Sequence, residues 1–333
     1  MTVRNCVVPF LLALTVVASA AGPDAKYKAP RTENGQPDLQ GVWNFSSDVP
    51  LERPASIADK SVWTREELEA QKAATARAFG AISKVAPVEA VGLDWLDNAG
   101  RMENLRTSLI TYPENGRVPK LVEGVRRLPG PEQIIAALAG DNGAPPAALL
   151  SAFLGGGKKD GPEDFSVPER CLFAGGTPFT PDFDNNYVQI IQAKDTVVLL
   201  TEHQTRIVPL DGRPHVSEKL RSWSGDSRGR WEGDTLVIET RNFNRRTRSF
   251  AGAGNSLDKV VTERLTRVSK NALEYEATIV DSKTFQDTIV ISLPMARVDS
   301  RIFEYACHEG NYSMPMTLAG ARKDEQEALK TTQ

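Results

Sequence analysis

The chain has 333 residues, 40% of them apolar and 25% charged, with a net charge of −3. That is an ordinary globular balance, long enough for one large domain or two smaller ones. The weak negative charge gives no reason to expect a nucleic-acid partner.

The first residues read MTVRNCVVPFLLALTVVASAAG. Arg4 supplies a short basic region, Val7 to Val17 an apolar run, and Ala18-Ser19-Ala20 a small-residue cleavage pattern. This predicts a secretory signal peptide over 1–20 and a periplasmic or secreted mature protein. The run is too short to span a bilayer, and no later segment approaches about 20 apolar residues, so no membrane span is expected. Cleavage removes Cys6 and leaves Cys171 and Cys307. Two cysteines in an oxidising compartment are expected to pair.

Residues 21–165 read as an N-terminal arm followed by a helical and irregular region. Turn signals at Asn34-Gly35 and Pro37-Asp38 precede a strand-like piece, Gly41 to Phe45, which should bury Trp43. Thr64 and Glu67 form a capping box that opens a helix over about 65–79. Short helices are expected at Glu132 to Ala139 and Pro146 to Leu154, beside a Gly155-Gly156-Gly157 run.

From 166 to 322 the pattern becomes alternating. YVQIIQAKDTVVLLTEHQTRIVPLDG predicts three strands with turns near Lys194-Asp195 and Gln204. GRWEGDTLVIETRNF predicts a hairpin turning at Gly233-Asp234. DKVVTERLTRVSKNALEYEATIVDSKTFQDTIVISLPM predicts three more strands, and RIFEYACHE a last one. So many consecutive strands imply an antiparallel meander that must hide its edges. The expected fold is mainly β, with a lipocalin-like up-and-down barrel in the C-terminal half. Residues 323–333 read as a tail.

The segment EYACHEGNYSM concentrates chemistry near the end of the chain. On a strand, Cys307 and His308 point to opposite faces, which makes them a poor nucleophile–base pair. Glu304 and His308 share a face, and a carboxylate beside an imidazole fixes its tautomer and raises its basicity. His308 oriented by Glu304 is therefore the candidate general base. The other two histidines, His203 and His215, should meet it at the barrel rim. His203 or Glu263 would be the partner acid. Glu263 alternates with Val261 and Leu265, so it faces inward, as a structural ion pair or as a proton donor.

Asp211, His215, Asp226 and Arg228 are candidate rim residues for a substrate. Trp223, Trp231 and Tyr275 would line a pocket or fill a core. Three histidines with carboxylates raise the question of a metal, but no H-x-H, H-E-x-x-H or C-x-x-C spacing occurs, so no cofactor is expected. The function these residues suggest is a small-molecule enzyme using general acid–base chemistry: a lyase, isomerase or hydrolase. The alternatives are a lipocalin-like carrier of an apolar or aromatic ligand, and an envelope domain that binds glycans or proteins.

PDLQGVW, YPENGRVP, IVPLDGRPH, GDSRGRWEGDTLVIET and EYACHEGNY together resemble a large group of uncharacterised exported bacterial proteins. The likeness runs over most of the mature chain and is weakest from about 129 to 163. It implies a secreted, β-rich domain.

Overall fold

A computed structural model describes residues 27–73, 102–127, 160–165, 170–172, 176–181, 186–245, 247, 250–253 and 256–331. The expected signal peptide and the helices expected at 132–139 and 146–154 lie outside these residues. Among the described residues no helix is long and apolar enough to cross a membrane.

Ten strands form one antiparallel sheet. They are β1 (Gly41–Asn44), β2 (Ile110–Tyr112), β3 (Tyr187–Ala193), β4 (Thr196–Leu200) and β5 (Thr205–Pro209). β6 (Asp226–Glu232), β7 (Thr235–Arg241), β8 (Val260–Arg267), β9 (Ala272–Val280) and β10 (Ile289–Val298) complete it. The spatial order is β5-β4-β3-β1-β10-β9-β8-β7-β6, with β2 also paired to β10. Helix α1 covers 65–73, and helix α2 spans Ser313–Thr331.

The alternating residues produce these strands because side chains on a strand point to opposite faces in turn. On β9, Leu273, Tyr275, Ala277 and Ile279 are buried, and Glu274 and Glu276 lie between them on the other face. On β8, Val261, Glu263, Leu265 and Arg267 follow the same rule. Burying one such Leu or Ile contributes roughly 1.5–3 kcal/mol. The β6–β7 hairpin turns at Gly233-Asp234, where Gly233 takes φ +62°, the glycine-first geometry of a tight hairpin.

Pro294 lies inside β10, where a missing N–H should break a ladder. Ser292 N donates to Leu109 O, and the nitrogen of residue 294 faces the same side. On that side β2 pairs with Val290 and Ile291, and β1 pairs only from Ala296 onward. The proline thus occupies a gap between two ladders.

Three features differ from the sequence reading. First, the sheet is not closed: no ladder joins edge strands β5 and β6. The edges instead meet through side chains at Gly229, where a Cβ would stand 2.6 Å from Leu210 Cδ2 and 2.8 Å from Val208 Cγ1. Second, β1 and β2 come from the N-terminal half, and β1 sits between β3 and β10. Trp43 on β1 is fully buried and donates through Nε1 to Leu39 O at 2.8 Å. Third, residues 302–309 do not form a strand. β10 ends at Val298, an irregular stretch follows, and His308–Gly310 is a single 3-10 turn leading to α2. No neighbouring strand offers this stretch a ladder, so its alternation has nothing to sort. The tail expected at 323–333 is largely helix through Thr331.

The capping box of α1 forms as expected. Glu67 N donates to Thr64 Oγ1 at 3.2 Å, and Thr64 N donates to Glu67 Oε2 at 2.7 Å.

Candidate functional site

The inner face of the curled sheet is filled. Trp43, Leu199, Leu236, Leu265, Leu273, Tyr275 and Leu293 are fully buried there, and segment 176–181 enters beside them. Phe179 from that segment packs against Phe45 and Tyr275, with ring centroids 5.2 and 5.4 Å away. Two surface depressions, of about 260 and 350 Å³, lie outside the sheet.

Glu263 faces this interior. Its Oε2 accepts from Arg206 Nη1 at 2.5 Å, and its Oε1 accepts from Arg206 Nη2 at 2.9 Å and from the Tyr275 hydroxyl at 2.8 Å. Arg206 also donates to Thr177 Oγ1, and Tyr275 Oη accepts from Phe179 N at 3.0 Å. Burial raises the Tyr275 phenol well above its ordinary value, and the Glu263 carboxylate adds to the effect. Every polar group of this set has a partner, the condition under which a buried ion pair is tolerated. The set locks β5, β8, β9 and segment 176–181 together. Arg206, Thr177 and Phe179 were invisible as partners in the sequence, because they meet Glu263 only across the fold.

The three histidines do not gather at one rim. His203 precedes β5 and His215 follows it, and five strand residues separate their ends by about 17 Å. Successive connections of a meander alternate between its two ends, so the two loops flanking one strand cannot share a rim. The C-terminal segment joins the His203 end: the Tyr305 ring lies 4.0 Å from the His203 ring. Among the described residues no group of three or more metal-ligating side chains could hold an ion.

At the other end, His215 does meet two of its expected companions. Its Nδ1 lies 2.7 Å from Asp226 Oδ2, and its Nε2 lies 3.2 Å from Glu239 Oε1. Asp226 Oδ1 pairs with Arg228 at 2.7 Å, and Arg241 Nε donates to Glu239 at 2.7 Å. Two carboxylates thus face the two ring nitrogens. Burial pushes the Glu239 carboxyl up, but Arg241 and His215 outweigh it and hold it below its usual value. With both nitrogens engaged, His215 acts here as a clasp of the β5–β6 loop onto the hairpin. Glu239 escaped the sequence reading although a signal existed: a turn at Gly233-Asp234 sets Arg228 opposite Glu239 and Asp226 opposite Arg241.

Asp211 is tied to Arg213, whose Nε donates to Oδ2 at 2.6 Å; that hydrogen bond holds the carboxyl below its usual value. Trp223 is exposed on the β5–β6 connection, Trp231 on β6 packs against the core, and Tyr275 is interior. These three aromatic side chains therefore do not line one pocket.

Cys171 and Cys307 form the expected disulfide, with Cα atoms 5.6 Å apart. Asn311 Nδ2 lies 3.2 Å from Cys171 Sγ. The bond pins a segment whose side chains turn outward. Phe303 and Tyr312 are 67% and 71% exposed, and Tyr305, Leu172 and Met316 are exposed as well. Glu304, His308 and Glu309 are exposed on the same stretch. Among the described residues the His308 and Glu304 side chains make no hydrogen bond or ion pair with each other. No protein-family model, curated protein or solved structure matches the chain.

Proposed function

We propose that the chain is an exported envelope domain that binds glycans through segment 303–312. The observation that carries this reading is the exposure of Phe303, Tyr305 and Tyr312 on a segment anchored by the Cys171–Cys307 disulfide. Large exposed apolar side chains gathered on one segment mark a binding surface. Carboxylates are depleted from the core of a protein–protein interface. Here Glu304 and Glu309 alternate with the aromatic rings, together with His308 and Asn311. Such a mixture suits a sugar, whose ring has apolar C–H faces and a hydroxyl edge. Rings stack on the faces, and carboxylate, amide and imidazole groups bond the edges.

Retention of the purified protein on insoluble polysaccharides tests this: peptidoglycan sacculi, chitin and cellulose. One of these should retain the parent protein, and Phe303→Ala/Tyr312→Ala should lose at least tenfold in affinity with an unchanged thermal midpoint. No retention on any of the three, or equal retention of the double variant, would sink the reading.

A second reading is acid–base catalysis by His308. It is favoured by the exposure of an imidazole that no described side chain engages, which leaves both nitrogens open to a substrate. Under it, His308→Ala abolishes turnover of a bound glycan or small molecule and leaves binding intact.

A further inference from the structure

Helix α2 and the stretch before it are attached to the protein in an unusual way. From residue 299 onward no described side chain is buried, whereas the core ends at Met295. On α2, Met314, Leu318 and Ala321 are half-buried along one face, so apolar burial holds this segment only weakly. A helix that fully buries none of its described side chains draws little stability from packing, which is what sustains most helices in proteins. The attachments of this stretch to the rest of the protein include a covalent one. The Cys171–Cys307 bond comes first, with Asn311 at its sulfur and Tyr305 on the His203 ring. Arg322 Nη1 adds a hydrogen bond to Asp160 O at 3.0 Å.

We propose that the disulfide is a redox-controlled tether for the binding segment. Reduction releases residues 299–331 and leaves the sheet folded. The role of the released segment rests on the glycan-binding reading, but the release does not. Both cysteines are partly exposed, so a dithiol can reach them. A thiolate of the dithiol attacks one Sγ, and the other Sγ leaves as the thiolate. The second thiol of the reductant then resolves the mixed disulfide. Two electrons and two protons pass to Cys171 and Cys307, and the reductant becomes the disulfide.

The separation of the two roles follows from position. The bond closes over a sequence separation of 136 residues. Yet neither cysteine belongs to the cluster that packs the inner face of the sheet, and the ladders run unbroken from β5 to β6. Losing the bond removes no member of that cluster and no ladder, and takes a covalent anchor from the C-terminal segment.

Hydrogen exchange on the full chain, with and without dithiothreitol, tests this. On reduction the amides of α2 should exchange at least tenfold faster, while those of β3, β8, β9 and β10 keep their rates. Cys171→Ser/Cys307→Ser should behave as the reduced protein does without reductant. Unchanged exchange in α2 would overturn the proposal, and so would loss of protection in the strands together with α2. The measurement needs no ligand, so a failed glycan test and a failed tether are told apart.

Discussion

Arg206 on β5 and Glu263 on β8 meet face to face through two hydrogen bonds, although β5 is one edge of the sheet and β8 lies third from the other. Only a strongly curled sheet brings those strands within reach. The pair therefore reports the curvature of the whole molecule.

Glu263→Ala should be the most damaging single change in this set. It leaves the Arg206 guanidinium buried without its carboxylate, at a cost of about 3–5 kcal/mol. Arg206→Met/Glu263→Leu should recover most of that loss, since an apolar pair needs no partner. Urea denaturation followed by tryptophan fluorescence measures both. A double variant as unstable as the single one would refute the account.

Tyr275→Phe removes one donor to Glu263 and the acceptor of Phe179 N. Stranding a buried amide costs about 1–3 kcal/mol. Exchange of the Phe179 amide should accelerate more than that of distant strands. Equal acceleration everywhere would point to a general packing defect instead.

Lys259 is buried, with its ammonium 4.2 Å from the Phe243 ring centroid. Burial pulls its pKa down to about 8, and Asp281 only partly opposes this. The folded value lies below the unfolded one of about 10.4, so between them the unfolded chain holds the extra proton. Stability contributed by this group thus rises with pH across that window, by roughly 3 kcal/mol in total. Lys259→Met lacks the effect. The stability of the parent relative to this variant should climb from pH 8 to 10.4, and a flat difference would contradict the burial argument.

Hydrogen bonds from Lys60 Nζ, Thr64 N and Thr64 Oγ1 at the start of α1 hold the Glu67 carboxyl down at about 2. The folded value is depressed, so this contribution is complete above the ordinary carboxylate range and is lost as pH falls through about 2. A carbon-detected NMR titration of the Glu67 carboxyl should give that midpoint. Lys60→Met removes the strongest of these bonds and should move the midpoint toward the ordinary carboxylate range, whereas Thr64→Ala, which keeps the backbone donor, should move it less.

Gly229→Ala places a methyl group against Val208, a stiff and fully buried side chain on the opposite edge. Such overpacking costs about 1–3 kcal/mol. Exchange should quicken first in β5 and β6, where the edges meet, and a uniform response across the sheet would argue against this contact.

Local patterns in the sequence located the strands from β3 to β10 well. The Gly233-Asp234 turn, the alternation of VVTERLTRV and the box at Thr64 and Glu67 each act within a few residues, so the chain itself carries their outcome. The inward direction of Glu263 was legible for the same reason. The strand expected at 302–309 failed because alternation describes a face only where a neighbour supplies hydrogen bonds. The meeting of His203, His215 and His308 failed because a rim was assumed without following which end each loop occupies.

The amino-acid order by itself determined a β-rich chain, its turn positions, the face each strand buries and the two cysteines free to pair. Those follow from steric and hydrophobic preferences that act between near neighbours. Only the tertiary structure decided that β1 inserts beside β10, that the edges meet without a ladder, that Arg206 answers Glu263, and that the aromatic residues after β10 face solvent. Each of these depends on how far the sheet curls and on which distant segments it then brings into contact, and no short stretch of sequence encodes that distance.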